Sequence, residues 1–202
     1  MAPHPKKARK ENAKIFLIDE CGLLLAPLVR RTLAPRGSTP IMKRRGRHRE
    51  KVSVIAAVGM SPKLRRMSLH FQTFPREYIN HEKAADFLQL LLRHTRGKII
   101  VVWDNGNMHR GEAIRRILSK TRRLHLESLP PYAPDCNPVE FLWKYIKYDC
   151  MPNFCPNDVR DTDREAKTHL NRAAKNSQKI RSFVNQSELA PHMLRNYFYE
   201  DQ

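Results

Sequence analysis

Five short apolar segments, each of the length of a β-strand, constrain the fold of this chain more than any other feature. They lie at residues 14–18, 52–58, 64–71, 98–103 and 124–129. β-branched residues and partial alternation favour strands in these segments. Between and after them, apolar residues recur at helical spacing. This spacing predicts helices over residues 81–95, 110–119 and 137–149, and further helices near 158–177 and 187–199.

The order of these elements predicts the fold class. Three consecutive strands favour an antiparallel meander, with the first strand bent or turning near Gly22, and the later strands alternate with helices. That order predicts an α/β fold with a mixed five-stranded sheet flanked by helices. Residues 14–200 are expected to form one domain. Residues 1–13 are basic and polar with two prolines, and they predict a flexible lead-in.

The charge of the chain favours a polyanionic partner. Its 38 Lys and Arg against 20 Asp and Glu give a net charge of +18. Nucleic acid fits because each neutralised phosphate releases counterions. An anionic membrane is the competing interpretation, but the sequence has no basic amphipathic helix, no lipidation motif and no spanning apolar run. We therefore expect no membrane partner. Each candidate phosphate contact could also be a solvated surface charge. The candidates are Arg30, Arg31, Arg36, Lys43, Arg44, Arg45, Arg47, Lys144 and Lys147.

The cysteines favour a reducing compartment. Cys21, Cys136, Cys150 and Cys155 show no paired CxxC spacing, and no secretory signal peptide is recognisable. The pattern is typical of reduced thiols in the cytoplasm or nucleus. A zinc site from Cys150, Cys155 and a histidine is the less favoured alternative.

Three carboxylates are predicted to meet at one edge of the sheet. Asp19 lies on or just after the first strand, Asp104 ends the fourth, and Glu140 lies in the first turn of a helix after the fifth. Strand ends and helix starts at one edge are where α/β folds place ligands. Carboxylates brought together there repel one another, and hard oxygen ligands suit Mg²⁺ or Mn²⁺. Two such ions can clamp the attacking and leaving oxygens of a phosphoryl transfer.

Each carboxylate also has a purely structural interpretation. Asp104 could begin the turn that Asp-Asn-Gly often forms. Glu140 could close a capping box with Asn137, with Pro138 as the first helical residue, or it could pair with Lys144. Asp19 could form a salt bridge with a nearby arginine. The residues taken singly leave these alternatives open.

Four motifs resemble the DDE transposases of the mariner-like superfamily and its bacterial insertion-sequence relatives. The first is IFLIDECG at residues 15–22, and the second is the turn APRGSTP at 34–40. The third is VVWDN at 101–105 with His109 and Arg110. The fourth is YAPDCNPVE at 132–140 with Leu142 and Trp143. The fourth is the most specific, because a proline-rich loop, Asn-Pro and Glu-x-x-Trp rarely coincide.

The resemblance implies an RNase H-like fold that uses two divalent metal ions, Mg²⁺ or Mn²⁺. By that analogy Asp19 bridges both ions, while Asp104 and Glu140 each hold one. Water would cut DNA at a transposon end, and the freed 3′-hydroxyl would attack target DNA. A homodimer on double-stranded DNA is also implied. Auxiliary roles would fall on Glu20, Asn105, His109 and Asn137, although His109 could equally make a structural hydrogen bond.

The sequence departs from the family pattern in two ways. The family carries helix-turn-helix modules before the catalytic domain, and only a short segment precedes the first strand here. We expect either a separate polypeptide with that module or a truncated remnant. Residues 106–108 also lack the usual alanine and proline types, and Cys136 stands where leucine is common.

Two rival functions remain at this point. One is a non-enzymatic basic DNA-binding protein that kept the fold and lost catalysis. The other is a nuclease of the same fold without strand transfer. Three carboxylates facing a polyanion favour an enzyme over a binding module. The expected location is the bacterial cytoplasm at the nucleoid, or the nucleus in a eukaryote.

Overall fold

A mixed five-stranded β-sheet forms the centre of the protein in a computed structural model that describes residues 12–42, 50–104, 111–129 and 134–188. The strands are β1 (Lys14–Leu24), β2 (Lys51–Met60), β3 (Met67–Pro75), β4 (Ile99–Trp103) and β5 (Leu124–Ser128). Their order in the sheet is β3-β2-β1-β4-β5. The first three strands pair antiparallel, and β4 and β5 continue the sheet parallel to β1. The predicted meander and mixed sheet are confirmed.

Helices cover both faces of the sheet. The helices are α1 (His81–His94), α2 (Glu112–Lys120), α3 (Pro138–Lys144), α4 (Val159–Ala174) and α5 (Ser177–Gln186). A short 3₁₀ turn precedes α3, and a π-helical turn, Tyr145–Cys150, continues directly from the end of α3. None of the helices described is long and apolar enough to cross a bilayer.

The alternation of side chains along the strands separates two hydrophobic cores. Phe16 and Ile18 of β1 pack in the core beneath α1 and α2, together with Phe87. Leu17 of β1 and Val102 of β4 face the other way and pack beneath the C-terminal helices. Because successive side chains of a strand point to opposite faces, β1 contributes to both cores. Its residues 15–18 are fully buried.

Two strand predictions need correction. We expected β1 to bend or turn near Gly22, but the strand continues through Leu24, and Gly22 pairs with Ser53 of β2. We placed the third strand at 64–71, whereas β3 is Met67–Pro75. Residues 61–66 form the turn instead, in which Leu64 has a φ of 52° and its N–H donates to the carbonyl of Ser61 at 2.8 Å.

The C-terminal helices also differ from the prediction. The segment predicted as one helix to residue 177 ends at Ala174, and a second helix begins at Ser177. Asn176 causes the division, since its side chain accepts a hydrogen bond from the N–H of Lys179 as an N-cap. The helix predicted at 187–199 is wrong at its start, because α5 ends at Gln186. Residues 189–202 lie outside the described part of the chain, as does most of the lead-in.

Phe87 offers a test of the α1 core. Its side chain is fully buried, so Phe87→Ala should lower the free energy of unfolding by about 3–5 kcal/mol through lost burial and a residual cavity. Urea unfolding followed by tryptophan fluorescence measures this change. The neighbouring exposed Asp86→Ala is the control and should change stability by less than about 0.5 kcal/mol. Equal effects of the two variants would contradict the described packing.

Candidate active site

Asp19 lies in the middle of the central strand and is held by a tryptophan. Its Oδ2 accepts a hydrogen bond of 2.7 Å from Nε1 of Trp143 on α3. The side chain of Trp143 is only 3% exposed and belongs to the core beneath the C-terminal helices. The sequence analysis did not predict the bond from Trp143 to Asp19. The available signal was that a buried indole N–H needs an acceptor.

Asn137 joins α3 to the same strand. Its Nδ2 donates to the carbonyl oxygen of Ile18 at 3.0 Å, and its Oδ1 accepts from the N–H of Val139 at 3.1 Å. It is therefore the N-cap of α3, with Pro138 as the first helical residue, as the structural interpretation predicted. The side chain is buried, and both ends of its amide are bonded. This arrangement places the first turn of α3, which contains Glu140, beside Asp19.

The electrostatics of Asp19 show that Glu140 and Glu20 lie nearby. The pKa of Asp19 is raised from 3.8 to about 7, and burial is the main cause; the Trp143 hydrogen bond opposes the rise, and the charges of Glu140 and Glu20 add to it. Desolvation and neighbouring like charges both disfavour ionisation. A cation near these oxygens would favour the ionised form. Carboxylate oxygens are the donors that Mg²⁺ and Mn²⁺ prefer, so these residues fit a divalent cation.

Asp104 directly follows β4 and is exposed. The last paired residues of the two parallel strands are Leu17 and Val102. The same register, continued for two residues beyond this pair, would bring Asp104 opposite Asp19. By alternation, Asp104 belongs to the sheet face that also contains Asp19 and α3.

The carboxylates do not form a preassembled metal site in this conformation. Within the described ranges, no three His, Cys, Asp or Glu side chains are arranged so that they could hold a metal ion. The structure brings Asp19, Glu20 and Glu140 into electrostatic contact, and it places Asp104 at the adjacent strand end.

Lys147 is the basic residue most closely connected to the site. Burial raises the pKa of the Cys21 thiol, whereas a hydrogen bond with Lys147 and its charge lower that pKa; the charges of Asp19 and Glu140 also raise it. Lys147 therefore lies among the first-motif residues. Lys144 is exposed, and its Nζ lies 4.5 Å from the centre of the Phe141 ring. The described ion pairs include none between Lys144 and Glu140.

The predicted arginines beyond β1 divide into two groups. Arg30 has structural contacts, since its N–H donates to Oδ1 of Asn153 at 2.7 Å and its guanidinium lies 5.1 Å from the centre of the Tyr148 ring. Arg31 and Arg36 are exposed on the irregular segment after β1. The remaining predicted residues lie outside the described part of the chain. They are Lys43, Arg44, Arg45, Arg47, Asn105 and His109.

Comparisons with known proteins agree with this architecture. The family model described as DDE superfamily endonuclease matches residues 14–161, nearly three quarters of the chain. The chain belongs to this family. No curated protein sequence matches it.

Solved structures of Mos1 transposase have the same fold. A pre-cleavage Mos1 transpososome superimposes with a TM-score of 0.64 at 14% identity, covering 95% of this chain and 58% of that one. A Mos1 paired-end complex with the left transposon end gives 0.63 at 15%, covering 95% and 57%. The Mos1 mariner catalytic domain alone gives 0.58 at 12%, covering 95% and 85%. This chain therefore spans somewhat more than half the length of the larger Mos1 chains, and its RNase H-like fold is confirmed.

Asn137 is expected to contribute more to stability than an ordinary helix cap. Asn137→Ala removes the cap and leaves the buried Ile18 carbonyl without this donor. The combined cost is about 2–4 kcal/mol. Asn176→Ala is a matched control that removes an exposed cap of α5, with an expected cost of about 1 kcal/mol. Denaturant unfolding compares them, and equal losses would contradict the described role of the Asn137 amide.

The raised pKa of Asp19 predicts how the stability of the metal-free protein depends on pH. Between about pH 4 and pH 7 the folded chain retains a proton that the unfolded chain releases, so this contribution to stability decreases as pH rises. Asp19→Asn stays uncharged and keeps an acceptor for Trp143. It should raise the melting temperature in EDTA most at about pH 8, with a gain that shrinks towards pH 4.

Differential scanning fluorimetry across this pH range measures that gain. Asp86→Asn, at an exposed position on α1, is the control and should give no such trend. The raised pKa of Asp19 would be contradicted if Asp19→Asn increased the melting temperature equally at every pH, or did not increase it at pH 8.

Proposed function

We propose that this domain is the catalytic domain of a cut-and-paste DNA transposase, in which Asp19, Asp104 and Glu140 act together. The observation that carries the proposal is the position of Asp19 on the central strand, bonded to Trp143 and in electrostatic contact with Glu140. Membership of the DDE endonuclease family supports phosphodiester cleavage as the chemistry. The solved neighbours include Mos1 with transposon-end DNA and a Mos1 strand transfer complex, which supports DNA as the substrate.

Asp19, Asp104 and Glu140 are the residues that would hold two Mg²⁺ ions, or Mn²⁺ in their place. Mos1 paired-end complexes with Mn and with Mg support this choice. When bound, the ions activate the attacking oxygen and stabilise the leaving oxygen of the phosphodiester. By analogy with the family, Asp19 would be the ligand that the two ions share.

The other residues of the site hold the carboxylates in position or bind the DNA phosphate. Trp143 restrains one oxygen of Asp19, and Asn137 fixes α3 against the strand, so that Glu140 keeps its position. Lys147 supplies positive charge next to the carboxylates, suited to the DNA phosphate that approaches them. In the first step, water attacks the phosphorus and the bond to the 3′ oxygen breaks. In the second, the freed 3′-hydroxyl attacks a phosphorus of the target DNA, and the bond from that phosphorus to its own 3′ oxygen breaks.

The assembly around the domain is part of the proposal. A homodimer on paired DNA ends is proposed by analogy with the family, and recognition of the end sequence is assigned to a helix-turn-helix module. The protein would act where DNA is accessible, at the bacterial nucleoid or in the eukaryotic nucleus. A reduced state of all four cysteines, which are free thiols in the structure, fits either compartment.

Nicking of supercoiled plasmid DNA in Mn²⁺ tests the proposed chemistry. The unmodified protein should nick, while Asp104→Asn should reduce the rate at least about 100-fold with DNA binding retained. Asp86→Asn, an exposed carboxylate on α1, is the control and should nick normally. Nicking that persists in Asp104→Asn would contradict the assignment of this residue.

The rival functions give different products. If the unmodified protein and all of its variants bind DNA but do not nick it, the protein is a non-enzymatic DNA-binding protein. Nicking without joining of a pre-cut end to a target plasmid would identify a nuclease that lacks strand transfer. Joined products, lost in Asp104→Asn, would establish the transposase.

A further inference from the structure

The edge of the sheet opposite the candidate active site is built from four chain segments, which we call the basal edge. It comprises Lys14 and residues 61–66, 93–98 and 120–123. The turn at 61–66 follows Met60, which pairs with Ile15 near the start of β1. The N–H of Lys14 donates to the carbonyl of Lys98 at 3.0 Å, and the N–H of Ile99 donates to that of Arg123 at 2.7 Å. The starts of β1, β4 and β5 thus lie side by side at this edge.

The basal edge is uniformly basic. Its segments read SPKLRR, RHTRGK and KTRR, and they contain no aspartate or glutamate. This charge also affects a neighbouring residue of β3: burial lowers the pKa of His70, and the charges of His94 and Lys14 lower it further. The lysines and arginines of the edge are Lys14, Lys63, Arg65, Arg66, Arg93, Arg96, Lys98, Lys120, Arg122 and Arg123.

Some of these charges have a structural explanation. Arg93 and Lys120 lie in the last turns of α1 and α2, where cations interact favourably with the helix dipole. Arg123 donates to the carbonyl of Leu92 in the last turn of α1 and to those of Thr95 and Gly97 just after it. Apart from Arg123, the exposed lysines and arginines of the edge that lie outside both helices are Lys63, Arg65, Arg66, Arg96, Lys98 and Arg122.

The backbone that presents these charges is held in place. In the turn after β2, the N–H of Arg66 donates to the Ser61 hydroxyl at 3.0 Å, and the N–H of Ser61 donates to the carbonyl of Arg66 at 2.9 Å. Arg181 of α5 braces the turn from outside, since its Nη2 donates to the carbonyl of Arg65 at 3.0 Å. A preordered set of cations loses less entropy on binding than a flexible tail does.

We propose that the basal edge binds the phosphate backbone of a second DNA segment, without regard to sequence. The five strand ends span about 19 Å at roughly 4.8 Å per strand, a length along which a DNA duplex presents about 11 phosphate charges. None of the large exposed hydrophobic side chains described belongs to its segments, although stable insertion into a membrane surface requires apolar residues. The preference for DNA over RNA rests on the proposed function.

The test is duplex binding as a function of salt in EDTA, where cleavage plays no part. The edge variant combines Lys63→Gln, Arg65→Gln, Arg96→Gln and Arg122→Gln. The matched control combines Arg76→Gln, Arg116→Gln, Arg164→Gln and Lys167→Gln, which removes the same charge from residues paired with acids. Binding is measured by fluorescence anisotropy with a random-sequence duplex. The slope of log K against log salt is negative, and the edge variant should make it less steep by about 2–4, whereas the control should change it by less than about 1.

A second measurement locates the contact directly. Bound duplex should protect Lys63 from acetylation, detected by mass spectrometry, and leave Lys167 on α4 reactive. Equal slopes in both variants, or unprotected Lys63, would overturn the proposal. The proposal would also be overturned if the edge variant lost binding only to duplex RNA, or only to vesicles containing phosphatidylserine. Either result would identify a different ligand of the basal edge. A catalytically inactive protein gives the same result as an active one, so failure here is distinguishable from failure of the proposed function.

Discussion

The pairing of the central strand β1 with both of its neighbours supports the rest of the structure. β2 bonds to it antiparallel along ten residue pairs, and β4 bonds to its first half in parallel. Its side chains enter both hydrophobic cores, and the carbonyl of Ile18 receives the hydrogen bond that attaches α3. A shift of this strand by one residue would exchange its two faces and move Asp19 to the opposite core. The fold and the candidate site therefore depend on the same register.

The candidate site places like charges close together in a partly buried position, and this lowers the stability of the metal-free protein. Asp19 is partly buried and lies near Glu140 and Glu20, and its pKa is raised to about 7, chiefly by burial. The hydrogen bond from the indole of Trp143 partly offsets this arrangement. Hydrophobic packing of α3 supplies the stability that holds the carboxylates together, because Val139, Leu142 and Trp143 are all buried in the adjoining core. A bound cation would remove the electrostatic conflict.

The sequence allowed much of the fold to be predicted, for identifiable reasons. Runs such as Ile99–Trp103 are buried on both sides and have no polar alternation, so their period and length indicate strands. The N-cap at Asn137 followed by Pro138 also has a local signature, and its position was predicted correctly. The errors occurred at the ends of elements, where local hydrogen bonds set the boundary. β3 begins three residues later than predicted because a hydrogen-bonded turn occupies 61–66, and α4 ends early because Asn176 caps the next helix.

The sequence by itself determined the order and type of the elements, the excess of positive charge and the family motifs, because these depend on local composition and spacing. Only the tertiary structure decided which distant groups meet. It brought Trp143 to Asp19 across 124 positions and Asn137 to Ile18 across 119. It also collected basic residues from separate segments at the strand starts. Hydrogen bonds and charge interactions act over a few ångströms in space, so contacts between such distant positions arise only when the sheet register and helix packing are set.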